Sequence, residues 1–286
     1  MPVLIAMLTP ILWGTTFAVV NLNLSDLSPF WVSVYRALPA GLLLLLCVRR
    51  MPEISWARLI LLAFCNITAF FCLLFLAAYH LPGAVAGTLS AIMPLSLMLL
   101  EWIGYRKLPD TKRVVVALIG VTGVVFLLNP SANLDPFGVL CAIISTLLVA
   151  QSAIWINQWP VKDVLGFTAW QLTIGGILLI PVAFIFAGAP APVNMGEVPA
   201  LIWLIVPNTA LAYAIMTWSI RKIGPALVSL LTPLNPVVAV TLGVILVGEQ
   251  LSSVQYIGIA LVIGALIAIK LPTGRSQKML LKDAKS

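Results

Sequence analysis

The chain has 286 residues, of which 62% are hydrophobic and 9% charged, against about 25% charged in an ordinary soluble domain. That balance excludes an ordinary soluble domain, and no GxGxxG, Walker, HExxH or GxSxG motif is present. The net charge of +7 is not a nucleic-acid footprint, because the cations lie in short loops and a tail and form no separate basic domain.

Apolar stretches run at 3–21, 30–48, 58–79, 84–103, 114–129, 137–156, 165–187, 200–219, 226–247 and 253–270. Each is close to the roughly 17–25 residues that a spanning helix needs. Met1 to Asn21 lacks a positive n-region and a small-x-small cleavage site, and its apolar run is too long for an h-region. It reads as the first span, with no cleavable signal peptide.

The loops are short, and their cations are one-sided. Even-numbered loops hold Arg49 and Arg50 (with Arg58 at the next helix start), then Arg106, Lys107, Lys112 and Arg113, then Lys162, then Arg221 and Lys222. The tail adds Lys270, Arg275, Lys278, Lys282 and Lys285. Odd-numbered loops hold Asp26, His80, Asp135, Glu197 and Glu249, with no Lys or Arg. Short cation-rich loops stay in the cytoplasm, so both termini are expected there. Cys47, Cys65, Cys72 and Cys141 all sit in apolar segments without a CxxC pair, which suits packing residues better than ligands.

The chain repeats itself. Leu81-Pro82-Gly83-Ala84-Val85 through Ala91-Ile92-Met93-Pro94-Leu95 matches Ile223-Gly224-Pro225-Ala226-Leu227 through Pro233-Leu234-Asn235-Pro236-Val237. Ala84 falls on Ala226, Ser90 on Thr232 and Pro94 on Pro236, and the next helices close at Asn129-Pro130 and Leu271-Pro272. Each half carries five spans, an odd number, so the second must lie upside down relative to the first. The expected fold is an all-α polytopic membrane protein. Its ten transmembrane helices form two inverted five-helix repeats, 1–130 and 137–272, with a basic cytoplasmic tail at 273–286. Inverted repeats of this kind characterise secondary transporters.

The five-plus-five plan, the Pro/Gly-led fourth and ninth helices, the Gly248-Glu249-Gln250-Leu251 turn and the glycine-spaced tenth helix (Gly258, Gly264) resemble the EamA family of the drug/metabolite transporter superfamily. The likeness covers essentially the whole chain and is stronger in the second half. The first half departs where it reads Tyr105-Arg106-Lys107-Leu108 in place of Gly-Glu. The resemblance implies export of amino acids and other small metabolites across the bacterial inner membrane. In overall character the aromatic amino acid exporters of the YddG type are the nearest branch.

Polar and aromatic residues within the spans are the candidate substrate-binding set. Arg36, the one cation inside a span, lies about two turns from the outer end of helix two. It reads either as a snorkelling side chain or as a counter-charge gripping a carboxylate. Glu101, the one carboxylate plausibly inside a span, reads as a partner of Arg106 or as a proton-coupling group. Tyr79 and His80 stand at the outer mouth, where His80 would make transport sensitive to pH. A lone His with no second ligand cannot form a metal site. Trp13 lies mid-span beside Gly14, Thr15 and Thr16, and Trp102 and Trp170 are intermediate in depth, whereas Trp31, Trp56, Trp155, Trp203 and Trp218 suit interfacial belts.

Asn66, Gln151, Asn208 and Asn235 are candidate interhelical amides. Asn235 lies between Pro233 and Pro236, which deprive carbonyls of donors, so Pro94 and Pro236 mark candidate helix breaks or gates. The reading is a secondary transporter of aromatic or large apolar amino acids, with the lipid bilayer as solvent, no cofactor and no nucleic-acid partner. Ten spans can enclose a pathway in a monomer. The alternatives are a multidrug organic-cation exporter, an intramembrane enzyme and a channel.

Overall fold

The computed structural model describes residues 1–48, 50–52, 54–81, 91–128, 135–247 and 250–269, and these are helical with no strand among them. The first span is α1 (Pro2–Gly14) and α2 (Thr16–Asn23), broken at Thr15. The second is α3 (Pro29–Val48). The third is α4 (Trp56–Ala63), a π-turn at Phe64–Ala69, and α5 (Phe70–His80). Then come α6 (Met93–Tyr105), α7 (Thr111–Leu128), α8 (Pro136–Gln158) and α9 (Val164–Ala187). The eighth span is α10 (Val198–Ile205), a π-turn at Val206–Leu211, and α11 (Ala212–Ile223). The ninth is α12 (Pro225–Ser229) and α13 (Leu234–Val247), and the tenth is α14 (Ser253–Ile269).

Among the described residues, eight helical segments are long and apolar enough to cross a bilayer, and Ser253–Ala268 is a shorter apolar helix. The fourth expected span is described only from Ala91 onward. Its Pro/Gly start at 82–90 lies outside the described residues, as do Glu249, the span ends at 129–130 and 271–272, and the tail at 273–286. Large apolar side chains such as Leu46, Ile103, Ile185 and Ile245 are exposed, as they must be where lipid is the solvent.

Inversion is visible in the packing. The second and seventh spans cross where a Cβ on Gly41 would meet the Thr173 nitrogen and one on Gly176 would meet Leu38 Cα at 2.7 Å. Earlier residues of one helix face later residues of the other, so the helices run antiparallel. The fifth and tenth spans do the same: a Cβ on Gly123 would meet Leu261, a Cβ on Gly258 would meet Leu127, and Gln255 Nε2 donates to the Leu127 carbonyl. Two further pairs of contacts are exchanged. The first span packs on the eighth as the sixth packs on the third, and the first packs on the ninth as the sixth packs on the fourth. Small residues at these crossings let backbones approach without a hydrophobic drive between helices.

Candidate functional site

Three local irregularities create the site. At Thr15 the first span breaks: Thr15 N–H and Oγ1 both bond the Leu12 carbonyl, at 3.1 and 2.7 Å. In the eighth span Pro207 has no N–H to donate, and the helix widens into the π-turn that carries Asn208 and Thr209. In the ninth span the helix stops after Ser229, and i→i−3 bonds from Leu231, Thr232, Leu234 and Asn235 carry the chain past Pro233 into α13. The break therefore falls before Asn235, and Pro236 stands in the first turn of the resumed helix. Pro94 likewise stands at the start of α6.

Asn208 is the hub. Its Nδ2 donates to the Leu12 carbonyl at 2.6 Å and to Thr15 Oγ1 at 3.3 Å. Its Oδ1 accepts from Arg36 Nη2 at 2.7 Å and from Thr16 Oγ1 at 3.2 Å. Its backbone carbonyl accepts from Trp13 Nε1 at 3.0 Å. Arg36 Nε donates to Thr209 Oγ1 at 2.9 Å, and the guanidinium lies 5.2 Å from the centre of the Phe71 ring. Arg36 is 7% exposed, so it does not snorkel. No carboxylate among the described residues pairs with it. Its Nη1 makes no hydrogen bond among the described residues.

Beside this hub lies a small cleft lined by Thr9, Pro10, Trp13, Met216, Val228, Thr232 and Asn235. Gly14 brings the first span onto the ninth: a Cβ there would lie 2.8 Å from the Asn235 carbonyl. Trp13 packs edge-on against Tyr213, with centroids 5.3 Å apart. The wall is thus mostly apolar, with two hydroxyls and one amide.

Of the sequence candidates, Trp13 and Asn235 share the cleft, and Arg36 joins Trp13 through Asn208. His80 stands apart, its Nδ1 2.7 Å from Asp135 Oδ2. Trp170 bonds the Arg50 carbonyl through Nε1 at 2.8 Å and meets Trp56 edge-on. Trp102 is 51% exposed, and neither it nor Trp170 lines the cleft. The Tyr79 side chain lies outside the described residues. Glu101 pairs with Lys107 at 3.7 Å rather than with Arg106, which adopts a left-handed backbone (φ 54°) at the end of α6. Asn208 was legible only as one amide among several. Among the described residues no group of three His, Cys, Asp or Glu side chains could hold a metal.

Antiparallel helical halves, broken spans and a small cleft where they meet define a membrane transporter. The chain belongs to the EamA-like transporter family, whose pattern it matches over residues 1–129 and 136–271. It is 33% identical over 270 residues to Protein PecM of Dickeya dadantii (strain 3937), spanning 93% of this chain and 91% of that one. To the uncharacterized inner membrane transporter YedA of Escherichia coli (strain K12) it is 26% identical over 279 residues, spanning 91% and 88%. A solved crystal structure superposes with a TM-score of 0.82 at 18% identity, over 97% of this chain and 98% of the other, a likeness of fold alone.

Proposed function

We propose that this multi-pass transporter exports amino acids with aromatic or large apolar side chains across the bacterial inner membrane by alternating access. The halves 1–130 and 137–272 are its two moving units, and the tail 273–286 is a cytoplasmic anchor. The observation that carries the substrate class is Arg36, a buried cation that has no carboxylate beside it among the described residues and whose Nη1 makes no hydrogen bond with them. A guanidinium in that condition attracts a carboxylate, and the Trp13 wall suits an apolar side chain. The bilayer is the solvent, and no cofactor takes part.

Proteoliposome counterflow tests this. Tryptophan and phenylalanine should exchange, and Arg36→Ala should reduce the exchange at least tenfold, whereas tetraphenylphosphonium should not exchange. The competing reading, organic-cation export, is favoured by the ring face of Trp13 alone. Exchange of the cation only, indifferent to Arg36→Ala, would establish it instead.

A further inference from the structure

The packing equates residues that sequence alignment alone does not pair. Exchanging Gly41 with Gly176 carries Leu38 onto Thr173, as their mutual contacts require. Two residues earlier, the same exchange carries Arg36 onto Gln171. The two π-turns, Phe64–Ala69 and Val206–Leu211, exchange likewise and carry Asn208 onto Asn66. The Arg36–Asn208 bond therefore has a counterpart pair, Gln171 and Asn66, on spans that touch: Thr68 Oγ1 donates to the Gly175 carbonyl at 3.1 Å.

The counterpart is not made. Gln171 is fully buried, and neither its Oε1 nor its Nε2 has a hydrogen-bond partner. Asn66 is 6% exposed, and among the described residues its side chain forms no hydrogen bond either. An unpaired amide in this setting is strongly unfavourable, because the interior of a membrane protein offers little water to replace the partner. In an inverted-repeat carrier each half adopts, in the opposite state, the arrangement its twin holds now.

We infer that Gln171 and Asn66 are positioning residues of the opposite transport state: their amides bond to one another there as Arg36 and Asn208 bond here, and Arg36 then releases Asn208. This rests on the alternating-access reading above. Two latches alternate, one on each side of the pseudo-two-fold axis. Releasing Arg36 frees its second donor edge for an anionic substrate.

The test combines counterflow and cross-linking on the full chain in vesicles. Gln171→Leu and Asn66→Leu should each slow tryptophan counterflow about tenfold, the loss expected for one hydrogen bond, and the double variant should be no slower than either single. Gln171→Leu should melt no lower than the wild type, since it removes a buried unpaired amide. Normal counterflow in either single variant, additive slowing in the double, or a lowered melting temperature for Gln171→Leu overturns the inference.

A substrate-free arm separates its failure from that of the amino-acid reading. The four native cysteines are replaced by Ser, and Asn66→Cys and Gln171→Cys are added. Arg36→Leu should then speed their cross-linking by ethane bismethanethiosulfonate at least threefold, because freeing Asn208 populates the opposite state. An unchanged rate overturns the inference even if tryptophan proves not to be a substrate.

Discussion

His80 Nδ1 lies 2.7 Å from Asp135 Oδ2, tying the last residue of α5 to the N-cap of α8 and so joining the two halves of the chain. Asp135 uses its other oxygen to cap α8, accepting the Phe137 N–H at 2.9 Å, and the Phe137 ring meets the imidazole edge-on at 4.9 Å. Gly138 keeps the contact close, since a Cβ there would sit 2.8 Å from His80 Cβ. One carboxylate thus serves as helix cap and as interdomain partner.

The Phe137 N–H first, and then His80, hold the Asp135 carboxyl below its ordinary range. A carboxyl with a depressed folded-state value stabilises fully above its unfolded value, near about 4, and that contribution is lost as pH falls through the lower folded value. Melting of the purified protein should therefore show a larger wild-type advantage over Asp135→Ala at pH 7 than at pH 3. Asp135→Asn, which can still cap, should fall between the two. An advantage that grows on acidification would contradict this assignment.

Orientation follows from the loop cations. With all other cysteines replaced, an impermeant maleimide applied to intact cells should label Asp135→Cys and leave Ser276→Cys unlabelled until the membrane is opened. Equal labelling of both from outside would reject cytoplasmic termini.

The spans and their inversion were legible because hydrophobic run length and loop charge are long, redundant signals. The site was less so. A π-turn inserts one residue into a helix that remains apolar throughout, so hydropathy does not register it. Pro207 gave a local reason for one π-turn, but Phe64–Ala69 has no proline to announce it. Arg36 could be placed by depth but not by direction: whether it reached outward or inward depended on Asn208 and Thr209, more than 170 residues away in sequence. Trp102 illustrates the converse. Its depth suited a cavity, yet its helix turns it to the exposed face, and an almost uniformly apolar α6 carries no periodicity to say so.

Arg36 should be irreplaceable by Lys. Its Nε and Nη2 bond two different side chains, a fork that an ammonium cannot reproduce. Arg36→Ala leaves Asn208 Oδ1 and Thr209 short of a donor in a buried site, a loss of about 2 kcal/mol. Both variants should lower the melting temperature and abolish tryptophan counterflow. Full retention of transport by Arg36→Lys would show that charge alone suffices.

The helix crossings predict a contrast among glycines. At Gly176 a new Cβ would press on Leu38 backbone atoms at 2.7 Å, and backbone cannot step aside as a side-chain tip can. Gly176→Val should then destabilise by about 1–3 kcal/mol or more and reduce the monodisperse yield after detergent extraction. Gly264 has no atom within 4 Å of such a Cβ, so Gly264→Ala should leave the yield unchanged. Equal yields from the two variants would mean that the crossing of the second and seventh spans is looser than described.

Trp13 combines two roles that substitution can separate. Its ring forms part of the cleft wall and packs on Tyr213, while its Nε1 anchors the Asn208 carbonyl at 3.0 Å. Trp13→Phe keeps an apolar face and loses the anchor. It should slow tryptophan counterflow about threefold to tenfold, the range expected for one hydrogen bond. Trp13→Ala removes both, and should slow counterflow by at least a further factor of about ten, because the stacking surface goes as well. Trp102→Ala, on the exposed face of α6, should change the rate much less than either. If Trp13→Ala transports at the wild-type rate while its folded yield is intact, the substrate does not pass this cleft, and the pathway must run between other spans.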